Sequence, residues 1–206
     1  MTPVLVFGTG NRHKALEMNE LVAPIGIKLL TLADIADAID VEEDGTTFAA
    51  NAIKKASVQA LHLHQWVLAE DSGLSVAALG GAPGVWSARF SAPDPTDEKN
   101  NDLLLAKLAG RPAEDRVAWY TCHMVLADPN GVVQVESEGR CYGRILTERH
   151  GQNGFGYDPL FEIVEYHKSF GELAPAVKRV ISHRARAARA MLPALYKLSK
   201  HMTRIS

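Results

Sequence analysis

The chain predicts an α/β protein, and three observations carry that class. Val4-Leu5-Val6-Phe7 is uniformly apolar and is followed by a glycine turn and a helical segment, the opening of a β-turn-α unit. Phe48, Ala52, Ala56, Ala60 and Leu63 recur at spacings of three and four, the apolar stripe of a helix. Val133, Val135 and Ser137 alternate with Gln134, Glu136 and Glu138, the period of a strand with one face in water.

Taken in order, Val4 to Phe7 is the first strand, Gly8-Thr9-Gly10-Asn11 a tight turn, and His13 to Val22 a helix. A glycine turn that opens a helix presents backbone N–H groups to an anion, and Lys14 adds a point charge one turn in. It is not a Walker loop, because His13 stands where Gly is wanted and Ala15 where Ser or Thr is wanted. Lys28 to Leu32 is a second strand and Asp34 to Gly45 an acidic loop. Thr46 or Thr47 caps a helix to about His64. At 100° per residue Lys55 lies beside the apolar stripe and Lys54 opposite it, so Lys55 is the lysine that can be drawn toward the protein, snorkelling past the core edge being the alternative, and Lys54 is expected in water.

The stretch Leu68 to Phe90 is the densest in chemistry. Trp66 to Ala69 suits a buried strand, and Glu70-Asp71-Ser72-Gly73 falls where that strand is expected to emerge into a loop, the edge at which open α/β sheets bind ligands. Adjacent carboxylates on an extended chain point to opposite faces, so Glu70 and Asp71 share a site only if the strand end twists or a cation bridges them. A hard cation, Mg²⁺ or Mn²⁺, held by one or two carboxylates and substrate phosphates, is one reading. A solvated acidic turn is the other.

Asp94 to Asp97 marks a turn and cap for a helix through Leu108, with Leu103, Leu104 and Leu108 inward. Val117 to Ala127 and Val132 to Cys141 form an antiparallel hairpin about Asp128-Pro129-Asn130-Gly131. Gly151 to Pro159 is glycine-rich, with Phe155 able to stack on a base and Asp158 able to accept from one. Phe155 in the core of a tight bend is the alternative. Pro159 to Val164 is a further strand. Ser182 caps a helix to about Tyr196, on which Arg184 falls on the apolar face and Arg186 points away. An arginine on an apolar face must be paired or liganded.

At 206 residues, 47% apolar and 22% charged, the chain fits one folded domain spanning residues 1–206. No apolar run is long enough for a bilayer or a signal peptide, and a cytoplasmic home is expected. Cys122 and Cys141 are expected as buried free thiols. The net charge of −2 conceals a segregation. Leu29 to Ile53 has six acids and no Lys or Arg, whereas Lys178 onward has eight Lys and Arg and no acid. A polyanion carried with its metal, such as a nucleoside triphosphate, needs both signs. A solvated basic helix, or one that binds nucleic acid nonspecifically, is the plainer alternative.

Six segments in this order resemble the inosine triphosphate pyrophosphatase family. They are Thr9 to Lys14, Glu42 to Phe48 running into Asn51 to Ala56, Glu70 to Gly73, Gly81 to Arg89, Gly154 to Pro159, and Ser182 to Arg184. The resemblance implies an elongated central mixed sheet, two lobes around a nucleotide cleft, and a homodimer. It implies Mg²⁺-dependent hydrolysis of ITP, dITP and XTP to the monophosphate and pyrophosphate, with Mn²⁺ as a substitute metal and with no nucleic-acid or membrane partner. By the same resemblance Thr9, Gly10, Asn11, Arg12, His13 and Lys14 form the phosphate loop. Glu42 and Asp71, with Glu70, are metal ligands, Asp71 also the proton acceptor. Lys55 and Ser72 contact phosphate, and Phe155, Gly156, Tyr157 and Asp158 form the base loop. Lys178, His183 and Arg184 contact base and phosphate. The chain departs from the family pattern at Ala50, where Glu is common, at Glu70, where bacterial members often have Asp, and at Arg186, where a Gly-Lys or Gly-Gln pair is frequent.

The mechanism expected from these parts is attack of water on the α-phosphorus. Asp71 orients or deprotonates that water, and Lys14, Lys55 and Lys178 hold the charge that moves to the leaving group. Backbone N–H groups or Arg184 facing the 6-oxo group of inosine or xanthosine would meet adenine's amino donor as donor to donor. The rival readings are a Maf-like pyrophosphatase acting on other modified nucleotides and a noncatalytic nucleotide- or RNA-binding module.

Overall fold

Seven strands form one mixed sheet in the order β2-β1-β3-β4-β5-β6-β7. The coordinates are a computed structural model that describes residues 3–205. By contacts the chain divides into two compact units, the first Met1–Asp71, Cys122–Gly139 and Arg184–Ser206, the second Ser72–Thr121 and Arg140–His183.

In the first unit β1 (Val4–Phe7) runs parallel to β2 (Lys28–Thr31) and, on its other side, to the start of β3 (Val67–Val76). Helix α1 (Arg12–Val22) links β1 to β2, and α2 (Phe48–Leu63) leads from the acidic segment into β3. The two crossovers run in opposite directions across the sheet, β1 to β2 and then β2 back past β1 to β3, so right-handed connections place their helices on opposite faces of the sheet. The cores agree. Leu5, Phe7 and Leu68 pack with Met18 and Val22 of α1 and with Ala188, Met191 and Leu195 of α5 (His183–Ile205). Val6, Val67 and Ala69 pack with Ala52, Ala56 and Ala60 of α2. Strand pleat decides which layer each residue joins.

The second unit is built on a core of Leu74, Val76, Leu104, Leu108, Tyr120, Phe161, Phe170 and their neighbours. Its parts include α3 (Asp97–Lys107), β6 (Phe161–Ile163), β7 (Lys168–Ser169) and α4 (Pro175–Ile181). β5 (Val133–Ile145) pairs antiparallel with β6, and a Cβ at Gly143 would stand 2.2 Å from the Glu162 carbonyl oxygen. Only glycine allows that approach.

Several expectations are corrected here. β3 does not end at Ala69: Glu70 to Gly73 lie inside the strand, because partners on both faces neutralise the two carboxylates and remove the reason to emerge into water. β5 runs four residues beyond Cys141. The helix after Ser182 extends past Tyr196 to Ile205 through Pro193, and β7 and α4 were not foreseen. β4 (Val117–Ala127) has the expected bounds, and the short link Asp128 to Val132 leaves no room for a parallel crossover to its neighbour β5. Cys122 and Cys141 are buried free thiols, as expected.

Candidate active site

In the first unit the strand order reverses at β1, and the site is built where the ends of β1 and β3 lie side by side. Asn11 caps α1: its side chain accepts from the N–H groups of His13 at 3.0 Å and Lys14 at 3.2 Å, and the Thr9 hydroxyl accepts from Asn11 N–H at 3.1 Å. Those two helix amides therefore face Asn11, not an open anion site, and Lys14 supplies the charge of the loop. Thr9, Gly10, Asn11 and Arg12 line one side of a cavity of about 400 Å³ bounded by α1 and β2. His13 is exposed.

Glu70 shares the sheet face of Leu68, toward α1 and α5. It is 1% exposed, and Lys14 Nζ stands 2.9 Å from its Oε1. Arg184 clamps it from the start of α5, Nε donating to Oε2 at 3.0 Å and Nη2 to Oε1 at 3.1 Å, while Nη1 binds Glu17. The Cys122 thiol donates to Oε2 at 2.7 Å. Burial pushes the Glu70 carboxyl up, but Arg184 and Lys14 outweigh it and hold the group well below the usual carboxylate range. The same cluster raises Lys14 against its own desolvation. Burial and the charge of Glu70 push the Cys122 thiol well up, so it stays protonated and donates.

Asp71 takes the opposite face, toward α2. Asn51 Nδ2 donates to its Oδ2 at 3.0 Å, and Lys55 Nζ stands 3.3 Å from its Oδ1 and 3.0 Å from Glu43 Oε1. Burial raises the Asp71 carboxyl beyond what Lys55 and Lys14 pull back, with Glu43 adding to the rise. Less buried Glu43 is held low by Lys55 against its own desolvation. One ammonium between two carboxylates marks a place that favours a cation.

The acid that joins Asp71 is thus Glu43. Glu42 is exposed, since neighbours in an extended segment face opposite ways. Glu70, expected as a third ligand, has both oxygens engaged by Arg184, Lys14 and Cys122. Among the described residues no group of three or more His, Cys, Asp or Glu could hold a metal. Glu43 and Asp71 are nonetheless two hard carboxylate donors of the kind that suits Mg²⁺, an ion that takes one or two carboxylates alongside water and phosphate oxygens. Arg184 is liganded by protein carboxylates on all three guanidinium nitrogens, which fulfils the requirement set by its apolar surroundings. Arg186 and Arg189 are exposed, and Lys54 pairs at the surface with Asp44.

The glycine-rich loop and Lys178 belong to the second unit. Lys178, 7% exposed, donates to Asp158 Oδ2 at 2.6 Å and lies 4.7 Å from the centre of the half-buried Phe155 ring. Asp158 also accepts from Phe155 N–H at 3.0 Å, which fixes the turn. The Tyr157 ring is in the core, its hydroxyl donates to the Ser87 carbonyl, and burial pushes its pKa well up. His183 is buried and stacks on Tyr120 at 4.6 Å. Ser72, the first residue of this unit, is half-buried, and Gly156 N–H donates to Asp97. Gly154 has φ +80°, and a Cβ there would stand 1.9 Å from Asp158 Oδ2. Gly154→Ala is therefore expected to lower stability by about 2 kcal/mol or more in urea unfolding, since left-handed backbone strain adds to the clash. An unchanged midpoint would contradict this account of the loop.

The resemblance covers Glu43 and Asn51 without assigning either a role, and Glu17 and Cys122 lie outside its six segments. Helical spacing offered two of them, because Glu17 lies three residues from Lys14 and Asn51 four from Lys55.

A sequence model of the Ham1 family matches residues 5–194. A dITP/XTP pyrophosphatase of Rhodopirellula baltica is 55% identical over 194 residues, 94% of this chain and 93% of that protein. The dITP/XTP pyrophosphatase of Desulforamulus reducens is 45% identical over 96% of this chain and 98% of its own length. Among solved structures, a HAM1 protein from Coxiella burnetii superposes with a TM-score of 0.86 at 35% identity, covering 95% of this chain and 99% of that one. The Staphylococcus aureus Ham1 protein gives 0.83 at 33% identity, covering 93% and 97%.

Proposed function

Because the chain belongs to the Ham1 family, we propose that it is a Mg²⁺-dependent hydrolase converting noncanonical purine nucleoside triphosphates (dITP, XTP, ITP) to the monophosphate and pyrophosphate. The observation that carries this reading is the Lys55 ammonium held between Glu43 and Asp71. Two hard carboxylates at one cation-favouring point are what a metal–triphosphate requires from the protein.

Glu43 and Asp71 would hold the metal, which when bound polarises phosphate oxygens and neutralises charge on the leaving pyrophosphate. Asp71 orients the attacking water and accepts its proton; its raised pKa makes it a stronger base than an exposed aspartate. Lys55 is displaced from the carboxylates toward the phosphates, and Lys14, kept cationic by Glu70, stands as a fixed positive charge for the leaving group. Phe155 provides a face for the purine. Lys178, an ammonium with three donors, suits a 6-oxo acceptor and would meet adenine's amino group donor to donor. Arg184, bound to Glu70 and Glu17, leaves that task to Lys178. A homodimer in the cytoplasm completes the reading.

The test is pyrophosphate production from ITP, XTP, dITP, ATP and GTP with and without Mg²⁺. The expected result is metal-dependent release from the first three, about 100-fold or more above ATP and GTP. Release confined to pyrimidine or other modified nucleotides would support the Maf-like alternative instead, and metal-independent nucleotide or RNA binding without turnover would remove the enzyme altogether.

A further inference from the structure

Asn51 has no part in the mechanism above, yet it joins the two segments that carry the paired acids. Fully buried on α2, it accepts the Gly45 N–H at 2.7 Å through Oδ1 and donates to Asp71 Oδ2 at 3.0 Å through Nδ2. Only one amide orientation serves both partners, because a backbone N–H must face oxygen and a carboxylate must face nitrogen. Each contact therefore fixes the other.

The approach of the acidic loop to α2 is equally constrained. A Cβ on Gly45 would lie 2.5 Å from Asn51 Oδ1 and 3.1 Å from the Asn51 nitrogen, so the loop can come this near only as glycine. Two residues earlier Glu43 reaches Lys55, one helical turn beyond Asn51, and Lys55 also reaches Asp71. The contacts close a ring: Gly45 to Asn51, Asn51 to Asp71, Asp71 to Lys55, Lys55 to Glu43, and back along the chain to Gly45. Lys55 is a flexible side chain that a metal would displace. Asn51 is short, buried and held at both ends, and it stays when Lys55 leaves.

We propose that Asn51 is a positioning residue for the carboxylate pair: by tying Gly45 to Asp71 it sets Glu43 and Asp71 at the separation and orientation that a divalent cation takes up. The proposal rests on the reading that this pair binds metal. Partners that orient metal ligands typically contribute 10- to 100-fold in affinity. A residue that only packs α2 would contribute stability and nothing to the metal.

Mn²⁺ binding to the nucleotide-free protein, followed by electron paramagnetic resonance at a temperature where every variant is folded, separates the two roles. Asn51→Ala and Gly45→Ala are each expected to weaken Mn²⁺ binding about tenfold or more, and the double variant little further, because both open the same ring. Ala60→Gly, which loosens α2 away from the ring, is the control for general destabilisation and is expected to melt earlier with unchanged Mn²⁺ affinity. Should Asn51→Ala fail to fold, Gly45→Ala carries the same comparison. A parent protein that binds Mn²⁺ and releases pyrophosphate, with both ring variants binding Mn²⁺ as tightly, overturns the role of Asn51 alone. A parent that binds no Mn²⁺ overturns the metal reading along with it.

Discussion

On the proposed mechanism Asp71→Asn is expected to yield a folded protein whose release of pyrophosphate falls at least about 1,000-fold, since it removes both the proposed proton acceptor and one of the two carboxylates proposed to hold the metal. The substitution preserves shape: Asn51 Nδ2 can still donate to the side-chain oxygen, and Lys55 keeps Glu43 as a partner. The sign of the stability change follows from the pKa. Burial raises the Asp71 carboxyl above its unfolded value, so its contribution to stability is complete below the unfolded pKa and is lost as pH rises through the folded one. At neutral pH the charged group therefore strains the fold, and asparagine relieves the strain. Thermal unfolding at pH 7 is expected to show an equal or higher midpoint together with lost turnover, the pattern of a residue kept for chemistry. Turnover near that of the parent would remove Asp71 from the mechanism, and a collapse of the midpoint would mean that its charge is structural.

The parts of this site that could be read from sequence are those fixed by local geometry. Helix period placed Lys55 inward and Lys54 outward, and Arg184 inward with Arg186 outward. Strand pleat required Glu70 and Asp71 to point apart, and in the structure each serves a different helix layer. What could not be read depends on chain segments far apart in sequence. β3 continues through two carboxylates because Arg184 lies 114 residues away along the chain, and no local pattern announces that partner. Glu43, not Glu42, shares Lys55 with Asp71 because the register of an irregular loop is set by the Gly45–Asn51 contact, which no periodicity reports. β7 and α4 are too short to outweigh the glycines and prolines around them. The resemblance expects Arg184 to contact substrate, and in the structure its three guanidinium nitrogens bind Glu70 and Glu17, a pillar between two acids.

That pillar predicts the largest loss of stability. Glu70→Gln keeps the volume of the side chain but leaves Arg184 and Lys14, both desolvated, without their shared counter-charge. One neutral oxygen cannot replace two charged ones that accept from Arg184, Lys14 and Cys122. Breaking a buried pair from one side costs about 3–5 kcal/mol, far more than a surface pair. The pH dependence has the opposite sign to that of Asp71. Glu70 is held well below its ordinary value, so its contribution is complete above the unfolded pKa of about 4.3 and is lost as pH falls through the lower folded value. Urea unfolding of parent and Glu70→Gln should therefore differ by a constant amount above about pH 5 and converge toward acid. Removing both charges at once, as Glu70→Leu with Arg184→Met, should cost less than the sum of the single changes, because the Glu70–Arg184 contacts are lost only once and neither of that pair is left facing a missing counter-charge, while Lys14 and Glu17 each lose one partner. Additive losses would mean that the two contacts between Arg184 and Glu70 are incidental.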